Sequence, residues 1–139
     1  MTAKVFSVLT DFIDILSKDE YGEWVIDKVN DGTPEHPIQI PYVNFSEAMS
    51  HFIKILYQFC EDHPEYEYTQ YRETLEKNGL QWDAKIMSEY DVSNAEAKLI
   101  IALLIGAVRA ERFCDGALLS FCENGSILRW LKRLKVIDD

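Results

Sequence analysis

The first stretch of the chain places apolar and polar residues with the period of an α-helix. At about 100° per residue one face is apolar and the opposite face is polar. The apolar face comprises Val5, Phe6, Leu9, Phe12, Ile13 and Leu16. This pattern predicts an amphipathic first helix. The next apolar segment, residues 21–29, precedes an Asp31-Gly32 turn signal and fits either a short helix or an edge strand.

A proline-rich connector follows this segment. Three prolines between residues 32 and 42 predict an extended path, because proline fixes its own φ and disfavours the helical region for the residue before it. We expect Ile38 and Ile40 to point inward as anchors. A short β element near residues 38–42 fits the same pattern.

A second amphipathic helix is predicted after the connector. Asn44 followed by Glu47 resembles a capping box, and Pro64 stands just beyond the expected end near Asp62. One face of this helix is apolar. It comprises Phe45, Met49, Phe52, Ile53, Leu56, Phe59 and Cys60.

Two weaker segments come next. Residues 65–78 are rich in tyrosine and acid and predict a third, more exposed helix that Gly79 would terminate. Around residues 82–90 we expect a short helix or turn. Its expected anchors are Trp82, Ile86 and Tyr90.

The most apolar segment lies in the C-terminal half. Residues 95–108 are apolar on every side, and Ser93 with Glu96 forms the S-x-x-E pattern of a capping box. A helix of this kind is typical of the centre of a bundle, and we expect it to continue to about Phe113. A short helix over residues 117–124 and a final one from Ser126 complete the chain, the last with an apolar inner face and with Arg129, Lys132 and Arg133 on its outer side.

These elements predict a mostly α fold: a compact single-domain helical bundle over residues 1–139, built around a central apolar helix, with one short β element near residues 38–42. Each amphipathic face must be buried against another element, and no internal repeat or flexible linker divides the chain. The longest uncharged run in the C-terminal half has about ten residues, whereas a membrane span needs about twenty. With no signal-peptide pattern at the N-terminus, we expect a cytoplasmic protein without membrane contact.

Charge is distributed unevenly. Residues 1–108 hold 8 Lys and Arg against 19 Asp and Glu, whereas residues 109–139 hold 6 against 5. An acidic body repels nucleic acid and anionic membranes, so we expect neither as a direct partner. A basic partner is easier to accommodate.

Cofactor and metal chemistry have little support in the sequence. The three cysteines, Cys60, Cys114 and Cys122, show no CxxC spacing, and the histidines lack metal-ligand spacing. We therefore expect buried, reduced thiols, no metal and no cofactor. No glycine-rich phosphate loop or nucleophile elbow is present either.

The strongest candidate site is a group of four charges just after the central helix. Arg109, Glu111, Arg112 and Asp115 are i, i+3 or i, i+4 neighbours if the helix continues. In a functional site, Glu111 or Asp115 would be the general acid or base and Arg109 or Arg112 would bind an anionic group. The structural alternative is favoured: Arg112 bonds Asp115 or helix carbonyls, Phe113 and Cys114 fill the core, and Gly116 supplies a positive φ.

A family resemblance rests on the same stretch. The run Arg109-Ala-Glu-Arg-Phe-Cys-Asp-Gly-Ala-Leu118, the run Glu123-Asn-Gly-Ser-Ile-Leu-Arg-Trp-Leu-Lys-Arg-Leu134 and the run Ile40-Pro-Tyr-Val-Asn-Phe-Ser46 resemble a family of small uncharacterised bacterial and phage-associated domains. Ala110 and Ala117 stand where that family would carry glycine or a polar residue. The resemblance implies no activity, substrate or cofactor.

Three functional hypotheses remain. The preferred one is a non-enzymatic binding or regulatory module that contacts proteins through its acidic surface, with a homodimer as one form. The second is a small enzyme using the four charges. The third is an acidic, phage-type mimic of nucleic acid that uses the carboxylates between Asp11 and Glu35 or between Glu61 and Glu76.

Overall fold

Helices and one antiparallel β-hairpin make up residues 4–139, the part of the chain that the computed structural model describes. In chain order the elements are α1 (Ser7–Thr10), α2 (Phe12–Ser17), β1 (Gly22–Val25), β2 (Tyr42–Phe45), α3 (Glu47–Asp62), α4 (Tyr71–Lys77), α5 (Ala84–Glu89), α6 (Ala97–Ala110), α7 (Ala117–Glu123) and α8 (Ser126–Asp138). The predicted mostly helical, compact single-domain fold is confirmed. The two strands also confirm the expected β element, although β2 begins where the predicted segment ends.

Helix α6 is the centre of the molecule. Every side chain from 99 to 108 is buried, and α4, α7 and α8 pack around it. One continuous hydrophobic core runs from Phe6 in the N-terminal segment to Leu134 in α8. The central apolar helix is therefore confirmed. It ends at Ala110, three residues before the predicted end, where the chain turns toward α7.

The two ends of the described chain meet. The Phe6 backbone N–H donates to Asp138 Oδ2 at 2.9 Å, and α1 packs on α8. Five residues of α8 were predicted to face inward: Ile127, Leu131 and Leu134 are buried, whereas Leu128 and Ile137 are half-buried. Trp130, which the periodicity did not select, is fully buried with them.

Several helix starts differ from the sequence expectation. Asn44 lies in β2, and the cap of α3 is Ser46, whose Oγ accepts from the Met49 N–H at 3.1 Å. Ser93 does not cap α6, because its N–H and Oγ both bond Asp91 Oδ1 within a turn. Short-range bonding of serine to a nearby carboxylate competes with capping, and spacing alone does not distinguish the two.

The tyrosine-rich segment is less helical than expected. Two short 3₁₀ turns, Pro64–Tyr66 and Tyr68–Gln70, precede α4, since Glu67 between them has a positive φ of 49°. Helix α4 ends as predicted before Gly79, which has a φ of 77°. In α5 the buried residue is Met87, whereas the expected anchor Ile86 is 36% exposed.

The ambiguous segment 21–29 contains strand β1, which pairs with β2 so that Gly22 faces Phe45 and Val25 faces Tyr42. We name residues 22–45 the hairpin arm. The expectation that Ile38 and Ile40 point inward is wrong: they are 54% and 77% exposed. The loop between the strands satisfies its backbone groups within itself, so these side chains have no core to enter.

Candidate functional site

Glu111, one of the two carboxylates predicted as an acid or base, caps helix α7. Both of its carboxylate oxygens accept the Gly116 N–H, at 3.1 and 2.9 Å, and Oε1 also accepts the Leu118 N–H at 3.0 Å. A carboxylate at a helix N-terminus satisfies orphan backbone donors and interacts favourably with the helix dipole. This arrangement fixes the turn between α6 and α7.

Arg109 lies apart from the other three predicted site residues. Its guanidinium carbon is 6.0 Å from the ring centre of Tyr57 and 5.6 Å from that of Tyr71. Its Nε is buried and has no hydrogen-bond partner among residues 4–139. Arg109 therefore packs between α3 and α4 as a cation on aromatic faces.

Arg112 and Asp115 are both exposed, and no ion pair within 4.0 Å joins either of them to another residue between 4 and 139. The predicted Arg112–Asp115 pair is not formed. The expectation that Phe113 and Cys114 fill the core is also wrong, because Phe113 is 76% exposed and Cys114 is exposed. Helix α6 ends at Ala110, which turns this segment outward. The structure thus does not bring the four charges together.

Gly116 is where the turn meets the hairpin arm. Its φ is 91°, and a Cβ at this position would lie 2.3 Å from the Trp24 ring. The indole of Trp24 therefore rests on the bare backbone of Gly116. Only glycine, which lacks a Cβ, tolerates both the positive φ and this close approach of the ring. The turn that Glu111 holds, between α6 and α7, is therefore the place where the arm contacts the helical body.

The base of the arm is fixed by Asp19. Its Oδ2 accepts from the Tyr21 N–H at 3.1 Å and from the Ser46 hydroxyl at 2.5 Å. The Ser46 N–H also donates to the Tyr21 carbonyl at 2.7 Å, which continues the hairpin ladder by one pair. The two strands therefore leave the helical body at a defined position.

The loop of the arm is ordered by a second carboxylate, that of Asp27. Its oxygens accept from the backbone N–H groups of Gln39 at 2.8 Å and of Val29 and Asn30 at 3.0 Å, and from the Asn30 amide at 2.9 Å. These hydrogen bonds, led by the one from Gln39, hold the pKa of the Asp27 carboxyl far below its ordinary value. Asp27 thus ties the two sides of a long loop together.

Exposed apolar side chains are concentrated on this ordered arm. Of the twelve large hydrophobic residues that are exposed in residues 4–139, six belong to the arm: Trp24, Ile26, Val29, Ile38, Ile40 and Tyr42. The arm also carries four carboxylates and one lysine, for a net charge of −3. A rigid, acidic loop that presents isoleucine, valine and tryptophan to solvent has the composition of a contact surface.

A groove lies on the other side of the turn, between α5, the end of α6 and α7. Its volume is about 300 Å³, and its walls include Trp82, Met87, Ala110, Phe113, Cys114 and Phe121. We name it the aromatic groove. The indole N–H of Trp82 donates to the Gly106 carbonyl at 2.9 Å, and Phe113 stands edge-on to Trp82 with ring centres 5.4 Å apart. The Arg72 guanidinium lies 5.1 Å from the same indole.

The basic face of α8 is used within the molecule. Arg129 donates to the Ser88 carbonyl, and Arg133 Nε donates to the Ala95 carbonyl at 2.9 Å. Both side chains are half-buried. Of the three residues predicted on the outer side of this helix, only Lys132 is exposed. They form one wall of a second groove of about 410 Å³, against the loop that follows α5.

The tyrosines before α4 serve mainly packing. Tyr71 is buried, and Tyr66 lies against Phe6 and Phe59 with ring centres 5.8 Å apart in both pairs. Tyr68 donates its hydroxyl to Glu61. Packing against the core therefore accounts for the positions of Tyr66 and Tyr71.

The thiols fall into two groups. Cys60 and Cys122 are buried as expected, and burial raises the pKa of each to about 12. Cys114 is exposed on the lip of the aromatic groove, against the expectation of a buried thiol. Within residues 4–139 no group of three or more His, Cys, Asp or Glu side chains is arranged to hold a metal ion. None of the helices in that range is both long and apolar enough to cross a membrane.

Together these features define a compact helical domain with an acidic β-hairpin arm seated on the turn after its central helix. The chain belongs to a family of unknown function, DUF6508, whose model matches residues 1–139. Neither the curated proteins nor the solved structures include a match to this chain. The family description names no activity, substrate or partner.

Proposed function

We propose that this protein is a non-enzymatic binding module that contacts other proteins through its hairpin arm. The observation that carries this proposal is the arm itself: half of the large exposed hydrophobic residues in residues 4–139 stand on it. Their backbone is held by Asp19 and Asp27. Isolated surface hydrophobics are ordinary, whereas a group on a protruding ordered loop is typical of an interaction site.

Pre-organisation supports the same proposal. A loop that is ordered before it binds loses little conformational entropy on association, so its apolar contacts count almost fully toward affinity. The stretch 109–116 then supports the arm: Glu111 fixes the turn and Gly116 contacts the Trp24 ring. Arg112, which is exposed beside Phe113, would contact the partner, in keeping with a binding role for this arginine.

The charge of the arm favours a partner surface that carries cations. Four carboxylates and one lysine surround its apolar side chains. Opposite charges around an apolar contact increase the association rate and select orientation. A regulatory role would follow from such binding, and a phage association stays a prediction.

The enzyme hypothesis has less geometric support. General acid or base work needs a carboxyl that can reach a substrate proton. Both oxygens of Glu111 are engaged by backbone N–H groups, and Asp115 stands exposed without an arginine beside it. A nucleic-acid mimic would need carboxylates spaced like phosphates. The carboxylates of the arm stand instead among exposed apolar side chains such as Ile26, Val29 and Ile38.

The direct test is photo-crosslinking in cells from Ile40 on the arm. A photoreactive residue replaces Ile40 in one variant and Val136 on α8 in a matched control, since both are exposed aliphatic positions, at 77% and 58%. We expect protein adducts from position 40 and few from position 136. An absence of adducts at position 40, or equal adducts at both, would contradict a binding arm.

A further inference from the structure

The groove of about 410 Å³ between α8 and the loop after α5 is bounded by two hydrogen bonds. Arg129 donates to the Ser88 carbonyl and Arg133 Nε donates to the Ala95 carbonyl, so the loop is attached to α8 at two places. Residues 88–93 and four residues of α8 form the lining. We name this site the α8 groove. Its volume lies in the range of small-molecule sites, about 300 to 1,000 Å³.

One wall of the α8 groove is cationic. Arg129, Lys132 and Arg133 lie within about one turn of each other on the same face of α8. None of them has a carboxylate within 4.0 Å among residues 4–139. Arg133 bonds Ala95 through Nε alone, so its two terminal nitrogens remain available to donate. Two such nitrogens can bind a carboxylate through parallel hydrogen bonds.

The opposite wall is anionic. Glu89 and Asp91 line the groove from the end of α5 and the loop. Asp91 Oδ1 accepts from both the N–H and the hydroxyl of Ser93, which holds this carboxylate in its own turn. Neither carboxylate comes within 4.0 Å of a cation of α8. Charges of opposite sign therefore share the groove without pairing across it, and this wall provides acceptors for an ammonium group.

The rest of the lining is mainly apolar. Val92 is buried, Tyr90 is half-buried against the core, and Val136 is exposed. In small-molecule sites apolar contacts provide much of the affinity, and a few polar groups fix the orientation of the ligand. The α8 groove has both kinds of lining.

The two charged walls determine which class of ligand fits. A simple anion would be attracted by α8 but repelled by Glu89 and Asp91, and also by the net charge of −10 on the chain. A simple cation would be repelled by the arginines and the lysine of α8. A zwitterion has no net charge, so the field of the chain does not repel it, and it can bond both walls at once.

We propose that the α8 groove binds a free α-amino acid with an apolar side chain. The carboxylate of the ligand accepts from Arg133 and Lys132, and its ammonium group donates to Glu89 and Asp91. Its side chain lies against Val136 and the apolar residues of the loop. The lining includes no residue of the hairpin arm, so the site is independent of the proposed function.

Nuclear magnetic resonance titration of the isotope-labelled full chain tests the ligand class. The probes are L-phenylalanine and L-leucine, each with an analogue that lacks the ammonium group and one that lacks the carboxylate. For phenylalanine these are phenylpropionate and phenethylamine, and for leucine isocaproate and isoamylamine. We expect the amino acids to shift the amide signals of residues 88–93 and 129–136 in a saturable way. Each analogue should have a Kd at least about tenfold higher than its amino acid.

Matched charge changes test the contacts. Lys132→Gln removes a cation from the groove, and Lys135→Gln makes the same change on the same helix outside the lining. Glu89→Gln removes a carboxylate, with Glu76→Gln on α4 as its control. All four side chains are exposed, so the variants should fold, which circular dichroism verifies. We expect Lys132→Gln and Glu89→Gln to raise the amino-acid Kd about fivefold each, and the controls to leave it unchanged.

Three results would overturn the proposal. The first is the absence of shifts at the groove with either amino acid up to about 10 mM. The second is an analogue that binds as tightly as its amino acid, because the groove would then not recognise a zwitterion. The third is an equal loss of affinity in the variants and their controls, since net charge rather than the groove would then determine binding. None of these results bears on crosslinking at Ile40, so each would leave the proposed binding arm in place.

Discussion

Gly116 is the residue on which the arm depends most directly. Its conformation is left-handed, and the Trp24 ring occupies the place of a side chain. Replacement by alanine must therefore either displace the ring or distort the turn that Glu111 holds. The loss of stability should therefore exceed the usual cost of placing a non-glycine residue in the left-handed conformation.

We expect Gly116→Ala to lower the free energy of unfolding by about 2 to 4 kcal/mol, as the sum of a left-handed alanine and a steric overlap. The control is Gly125→Ala. Gly125 has a similar φ of 84°, but no atom lies within 4 Å of its Cβ position. That variant should lose only about 1 kcal/mol. Urea titration measures both, and equal losses would mean that the Trp24 contact contributes nothing.

At the scale of elements, the hairpin arm has its own order. Asp27 bonds backbone groups on both sides of the loop while remaining at the surface. Because the native pKa of this carboxyl is lowered, its ionised form stabilises the arm above the unfolded value of about 4. The stabilisation is lost only as the pH falls through the lowered native pKa.

We therefore expect the arm to stay ordered at pH 4, and to loosen at neutral pH in Asp27→Ala. Amide hydrogen exchange followed by mass spectrometry should show lost protection across residues 26–41, including Gln39. Thermal unfolding of the helices should hardly change, because the hydrogen bonds of Asp27 all lie within the loop. Asp31→Ala is the control, since Asp31 accepts only from Thr33 within one turn. Equal loosening in both variants would argue against a special role for Asp27.

Helical periodicity predicted the helices that bury a full face. The central helix and α8 are clear because every turn contributes to the core. The connector was harder: Ile38 and Ile40 were expected to point inward, yet both side chains are exposed. Which side of an extended segment is buried depends on distant packing, and the sequence alone does not specify it.

The candidate site shows the same limit. The stretch 109–116 was singled out as the strongest candidate site, but spacing on a continued helix predicted contacts among its charges. The helix ends at Ala110, so Glu111 turns back to α7 and Phe113 turns to solvent. The sequence feature that could have indicated a close contact at this turn was Gly116. Its partner Trp24, ninety-two positions earlier, has no local sign of the contact.

At the scale of the whole molecule, few of the negatively charged side chains form ion pairs. The chain carries 24 carboxylate side chains, whereas residues 4–139 contain two lysine–carboxylate ion pairs and one contact between His63 and Glu65, all at the surface. The native state brings these like charges closer together than the unfolded chain does. Their mutual repulsion therefore lowers stability, and salt screens it.

We expect the Tm at pH 7 to rise by about 2 to 4 °C between roughly 20 and 200 mM NaCl, which corresponds to about 1 kcal/mol. Repeating the experiment near the pI of about 4.7 is the control, because the net charge vanishes there and the salt effect should vanish with it. Differential scanning calorimetry measures both. A Tm that falls with salt at pH 7 would mean that attractive pairs outweigh the repulsion.

The contrast among the three thiols offers a practical handle. Because Cys60 and Cys122 are buried and hold their protons, a maleimide dye or nitroxide added to the folded protein should attach at Cys114 alone. The natural sequence thus already provides a site-specific label on the lip of the aromatic groove. A spin label at this position would report whether another molecule enters the groove, without any substitution in the chain.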